Sequence, residues 1–314
     1  MPATTHATAA AQLSSTNRPD SLTLTVFAAV AVLGGANAVA IKVGFAELAP
    51  FWAAAIRFLG AAVILFVVMA VMRLSLPSGR ALVGVVLFGI LAFGLSYLFA
   101  YWALQEVSAG TAMVILATVP LLTAILAIAQ RVEQFRMKRL VGAVIAALGI
   151  ALIFWNEIAF ASPAALFAVF VGAVCIAQAP VTVKRFPRVD PVVESGLGMA
   201  VGGIMLLVVS LLAGEPRAIP TGLPTQLSLL YLIVGGSIGL FVLYLFMLSR
   251  WTASGASYVM LIMPLVTIVL AAAILGETIT WIFVVGGAAV LAGVYVGALR
   301  PHRGGGPEAA NAKT

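Results

Sequence analysis

The chain has 314 residues, of which 63% are hydrophobic and only 9% charged, against about 25% charged in an average soluble protein, so a water-soluble domain is excluded. The formal net charge of +7 does not indicate nucleic acid, because the bases stand in short groups between apolar runs rather than in one basic stripe. The only cysteine, Cys175, lies inside an apolar run, which excludes an intrachain disulfide and leaves it as a small packing residue.

Residues 1–21 are polar and low in complexity, without the basic start and cleavage site of a signal peptide, and are expected to form a disordered cytoplasmic tail. Ten apolar runs follow, at 22–42, 50–72, 81–104, 110–130, 138–155, 164–183, 191–213, 225–249, 254–275 and 280–299. As a helix, a run of about 20 residues crosses a hydrocarbon core of about 30 Å. Barrel strands would be about ten residues of alternating polarity, whereas these runs are longer and apolar on every face. The expected fold is therefore an all-α polytopic membrane protein with ten transmembrane helices, and the lipid bilayer is its solvent. Residues 301–314, with glycines at 304, 305 and 306, form a second polar tail.

An even number of spans puts both termini on one side. With the termini in the cytoplasm, the inner segments hold fourteen Lys and Arg residues and the outer loops hold Arg217 alone, together with Glu47, Glu106, Glu157, Glu215 and Glu277. That bias is the positive-inside rule, and it places the chain in the inner or plasma membrane with both tails cytoplasmic.

Sliding the sequence by 144 positions aligns Pro120, Leu121 and Thr123 with Pro264, Leu265 and Thr267, then Glu133 with Glu277, Gly142 with Gly286 and Gly149 with Gly293. Each half holds five spans, and an odd number forces the copies into opposite orientation. Inverted repeats favour a solute site near the midplane between the halves, exposed to each side in turn.

The segment GANAVAIKVGFAELAPFWAAAIRF, from Gly35 to Phe58, resembles the first two helices of the EamA family of the drug/metabolite transporter superfamily. Lys42 near the end of the first helix, Pro50 entering the second, Arg57 within it, and the Pro, Glu and Gly spacing of the last two helices of each repeat carry the resemblance. It implies two inverted five-helix repeats, over 22–155 and 164–300, around a central cavity. It also implies export or exchange of metabolites such as amino acids or related compounds.

Lys42 and Arg57 are the two bases inside spans, and an intramembrane charge is by default a functional candidate. The alternative is snorkelling of the long side chain to the headgroups, which for Lys42 is as good a reading. Arg57, two turns past Pro50, is expected to face a cavity or to form an ion pair. Polar and aromatic residues deep in the spans form a second group: Asn37, Ser96, Tyr97, Tyr101, Thr118, Gln178, Thr182, Tyr244, Ser257 and Tyr258. Such groups bond between helices or face a wet cavity, and Gln178 and Tyr101 are the preferred solute contacts. Pro120 and Pro264, each near the middle of its helix, are expected to kink it and serve as hinges. Gly142, Ala146 and Gly149, with Gly286, Gly293 and Gly297, are expected to let helices pack closely. Glu133 and Glu277 are expected to cap the helices that follow them.

A membrane enzyme would need an embedded nucleophile and base, a metal cluster or paired carboxylates. The sequence offers none: His6 and His302 lie in the tails, and no metal, cofactor or nucleic-acid partner is expected. A transporter of a small-molecule solute is the leading reading, as an exporter or exchanger, and a non-transporting polytopic scaffold or sensor is the alternative. A homo-oligomer is compatible with either.

Overall fold

A computed structural model describes residues 19–103, 106–107, 109–157, 162–275 and 279–299. Most of both expected tails, and Glu277, therefore lie outside the described residues. Among the described residues every regular element is helical. Helix α1 spans Ser21–Gly44 and α2 spans Pro50–Val71. The third apolar run is α3 (Gly79–Gly89), a π-turn (Ile90–Leu95) and α4 (Ser96–Ala103). The fourth is split into α5 (Ala109–Leu116) and α6 (Val119–Ala129), and α7 (Met137–Ile153) closes the first half.

The second half repeats the plan with α8 (Pro163–Arg185) and α9 (Pro191–Leu212). Then come α10 (Leu223–Ile233), a second π-turn (Val234–Gly239) and α11 (Leu240–Arg250). The last elements are α12 (Ala253–Ala256), α13 (Val259–Leu275), α14 (Trp281–Val294) and a third π-turn (Tyr295–Leu299). The starts are written locally: Asp20, Ser162, Asp190, Thr252 and Thr280 accept bonds from first-turn amides, and Pro50, Pro163 and Pro191 stand first in their helices.

Among the described residues, nine helical stretches are long and apolar enough to cross a bilayer. The remaining apolar run is α7, whose 17 residues cover about 26 Å at 1.5 Å per residue.

Exchanging the halves preserves the main packing pairs. Helix α2 packs on α9 and α7 on α14, each the other's counterpart. Helix α1 packs on α13 as α8 does on α6, and α1 packs on α10 and α11 as α8 does on α3 and α4. The first two π-turns, 90–95 and 234–239, differ by the same 144 positions as the sequence repeat. Between α7 and α14 the backbones touch: a Cβ on Gly142 would stand 2.5 Å from the Gly293 carbonyl oxygen, and one on Gly149 2.7 Å from that of Gly286.

The two proline positions differ more than their alignment suggests. Pro120 does not kink a continuous helix; it stands second in α6, after a turn at Ala117–Thr118 that ends α5. The Thr118 hydroxyl donates to the Ile115 carbonyl at 2.6 Å, not to Leu116. Pro264 lies inside α13, and the break in that span comes earlier, at Ser257–Tyr258. What the repeats share is a hydroxyl three residues past each proline, donating to the carbonyl just before it: Thr123 to Val119 at 2.8 Å and Thr267 to Met263 at 3.0 Å.

Candidate functional site

A cavity of about 280 Å³ lies between the halves, walled by α1, α4 and the α5–α6 pair from one half and by α8, α11 and α12–α13 from the other. Its wall is mostly apolar, from Met113, Ile176, Phe241, Met260 and Met263. The polar groups on it are Asn37, Ser96, Tyr97, Tyr101, Tyr244 and Ser257. The Tyr97 ring meets Phe58 at 4.8 Å and Tyr101 at 5.5 Å, both edge to face, so the tyrosines form one buttressed aromatic wall. The cavity is large enough for a small solute with an apolar body and little polar surface.

Beside it, the second π-turn is held by side chains of the first half. A π-turn interrupts the regular ladder of backbone bonds. Asn37 Nδ2 donates to the Gly236 carbonyl at 3.1 Å, and Arg57 Nη2 donates to the same oxygen at 2.7 Å. Arg57 Nε donates to the Ser237 hydroxyl, also at 2.7 Å. Only 1% of Arg57 is exposed, so it does not snorkel. Nor does it pair with an acid: the ion pairs among the described residues are Arg139–Glu133 and Arg250–Asp20. The faces of Phe58 and Tyr97 at 5.0 and 5.7 Å add cation–π stabilisation to the guanidinium.

Other candidates from the sequence fall elsewhere. Lys42 is exposed in the last turn of α1 and is not on the cavity wall. Gln178 exchanges bonds with Gln130 at 2.6 and 3.3 Å and with Thr182 at 3.2 Å, joining α8 to the end of α6 away from the cavity. Tyr258 is buried and donates to the Arg139 carbonyl. Glu133 does not cap the helix that follows it: its carboxylate pairs with Arg139 and accepts from the Ser254 amide at 3.1 Å, capping α12 in the other half. Helix α7 follows Arg136 without a side-chain cap.

Three features were not read from the sequence. Pro180 and Phe241 line the cavity, and both are ordinary residues for an apolar span. Glu194, an acid at the start of an apolar run, is only 6% exposed in the first turn of α9. With Glu133, Lys184 and Arg188 it lines a second cavity of about 430 Å³ at the α12 end of the bundle.

At the opposite end two carboxylates cross between the halves. Glu47 accepts from the Thr221 amide at 2.8 Å, the Gly222 amide at 3.1 Å and the Thr225 hydroxyl at 2.7 Å, which caps α10. Glu215 accepts from the Phe51 and Trp52 amides at 3.1 and 2.8 Å, which caps α2. The Trp52 indole also donates to the Ala218 carbonyl at 2.9 Å. The Thr225 hydroxyl, then the Thr221 and Gly222 amides, hold the Glu47 carboxyl down to about 2.

A bundle of membrane-crossing helices built as two like halves around a solute-sized cavity defines the class of polytopic membrane transporters. The model of the EamA-like transporter family matches residues 21–155 and again residues 163–298. The chain belongs to that family. It is 25% identical over 255 residues to the uncharacterized inner membrane transporter YedA of Escherichia coli strain K12, covering 80% of this chain and 82% of that one. It is also 25% identical over 275 residues to the uncharacterized transporter YoaV of Bacillus subtilis, covering 85% and 93%. A solved crystal structure superposes with a TM-score of 0.75 at 19% identity, over 88% of this chain and 98% of the other, a likeness of fold.

Proposed function

We propose that the protein moves a small metabolite of amino-acid type or a related compound across the inner membrane, as an exporter or exchanger, by alternating access at the central cavity. The carrying observation is the cavity wall, to which the two halves contribute corresponding spans. Helix α7 serves as the tenth crossing, since 17 residues is the short end of what spans a bilayer. Five crossings in each half make the repeats inverted, and the exchange symmetry of the packing supports that reading. The excess of bases on the α12 side puts both termini in the cytoplasm and the Glu47 and Glu215 clamps outside. The name of the Escherichia coli relative supports the inner membrane.

Proteoliposomes holding the full chain test the proposal, with amino acids, organic anions and cationic drugs assayed with and without a pH gradient. At least one solute class should move faster than in empty vesicles, with Tyr97→Ala or Phe241→Ala slowing it. If nothing moves, the protein is a scaffold or sensor.

A further inference from the structure

Two buried polar atoms near the second π-turn have no hydrogen-bond partner, Arg57 Nη1 and Asn37 Oδ1. Both side chains use their other arm on the same Gly236 oxygen. Asn37 lines the central cavity, but Arg57 does not. It lines a separate chamber of about 10 Å³, with Gly44, Phe45, Leu48, Ala53 and Ser228 among its walls. That volume is about the room one water needs. Ile41 and Tyr101 belong to both walls.

The chamber lies on the line from the cavity to the clamps. Leu48 follows Glu47, Ala53 follows Trp52, and Tyr101 closes the cavity end. Ala53 and Arg57 are four residues apart in α2, so they share a face one turn apart. A guanidinium nitrogen buried in an apolar bundle without a partner is costly. The cost falls if an anion meets it during the working cycle.

We propose that this chamber is the collapsed outer half of the transport path and that Arg57 Nη1 is an anion station within it, with Tyr101 as the gate between station and cavity. The inference rests on the alternating-access reading and adds the chemistry of the passenger, a solute whose apolar body suits the cavity and whose carboxylate passes Arg57. In the present conformation the Tyr101 ring stands between the two spaces, braced by Phe45 at 5.4 Å and Tyr97 at 5.5 Å. Its hydroxyl is a near hydrogen-bonding neighbour of the Arg57 side chain, although Nη1 makes no bond of full hydrogen-bond geometry. When the clamps part, the chamber widens and the carboxylate reaches Nη1, while Nε and Nη2 go on holding the π-turn.

The test reads the chamber without knowing the solute. In the full chain carrying Cys175→Ser, Ala53→Cys is modified in proteoliposomes by a small anionic or a small cationic methanethiosulfonate of similar size. The anionic reagent should react faster, and Arg57→Gln should lower the anion-to-cation rate ratio at least about fivefold, since one charge a helical turn away is removed in a poorly screened site. Arg57→Lys should keep most of the ratio, which separates charge from loss of the π-turn bonds. Tyr101→Ala should speed modification by both reagents, whereas Tyr101→Phe should not. A ratio indifferent to Arg57→Gln in well-inserted protein overturns the station. No reaction at Ala53→Cys with either reagent overturns the path. Solute flux is measured separately, so a failed station with intact flux leaves the transporter reading standing.

Discussion

The carboxylate of Glu47 is fixed by donors of three residues, all in the other half of the chain, and that makes its charge count. Its folded value near 2 lies below the 4.5 of a free glutamate, so its contribution is fully present above about pH 4.5 and is lost as pH falls through about 2. Glu47→Gln should therefore lower the melting temperature at pH 7, and the gap to the parent protein should close on acidification toward pH 2. Intrinsic fluorescence melts in detergent measure this, and parallel pH profiles would show that the clamp carries no stability. The sequence put Glu47 and Glu215 in short loops, and nothing in those loops announces the amides each would meet some 165 to 175 residues away. Arg57 was partly legible. Its rarity in an apolar span marked it, but the partner is a backbone carbonyl within a π-turn, and a backbone group leaves no signature in residue type.

Helix breaks obey the same limit. Ala117–Thr118 and Ser257–Tyr258 interrupt their spans without glycine, and a proline reads alike in the first turn of a helix and in its middle. Runs of apolar residues thus located the spans to within a few residues and could not divide them. The structure separates the two prolines by consequence. In α6, Pro120 occupies a first-turn position where no amide bond is due, so Pro120→Ala should leave the break and the transport rate nearly unchanged. In α13, Pro264 removes the amide that would bond Met260, a cavity residue, so Pro264→Ala should straighten the helix and slow solute flux severalfold. Equal slowing by both substitutions would restore them as paired hinges. The glycines of α7 and α14 were legible because close backbone approach leaves no other residue type at Gly142 and Gly293.

Across the whole molecule the two halves share a skeleton and differ in chemistry. The helix starts Pro50 and Pro191 correspond, which puts Gly198 in the place of Arg57, and the side-chain bond at the first π-turn is a local one, from the Ser96 hydroxyl to the Ala92 carbonyl at 2.7 Å. Around the first, Phe88, Phe93 and Phe58 pack ring to ring at 5.1 to 5.5 Å. On the alternating-access proposal, a symmetric skeleton would supply two conformations of similar build, and unequal chemistry would let a solute favour one of them. The clamps lie at one end of this device. Glu47 and Glu215 each join a loop of one half to a helix start of the other, so on the alternating-access proposal the outer path would open only if both contacts part.

Locking one of them should therefore hold the protein in its present state. In a Cys175→Ser chain, Glu47→Cys and Thr221→Cys are joined by a short bifunctional methanethiosulfonate, and each single cysteine serves as control. The joined double variant should lose solute flux and recover it on reduction, while the singly modified controls keep most of theirs. A cysteine at Thr252, on the wall of the larger cavity at the other end, should stay reactive from the cytoplasmic side while the lock is closed. Ala53→Cys, beyond the clamps, should become unreactive. Full flux through the locked protein would mean that the clamps need not separate, and the alternating-access reading would fail with them.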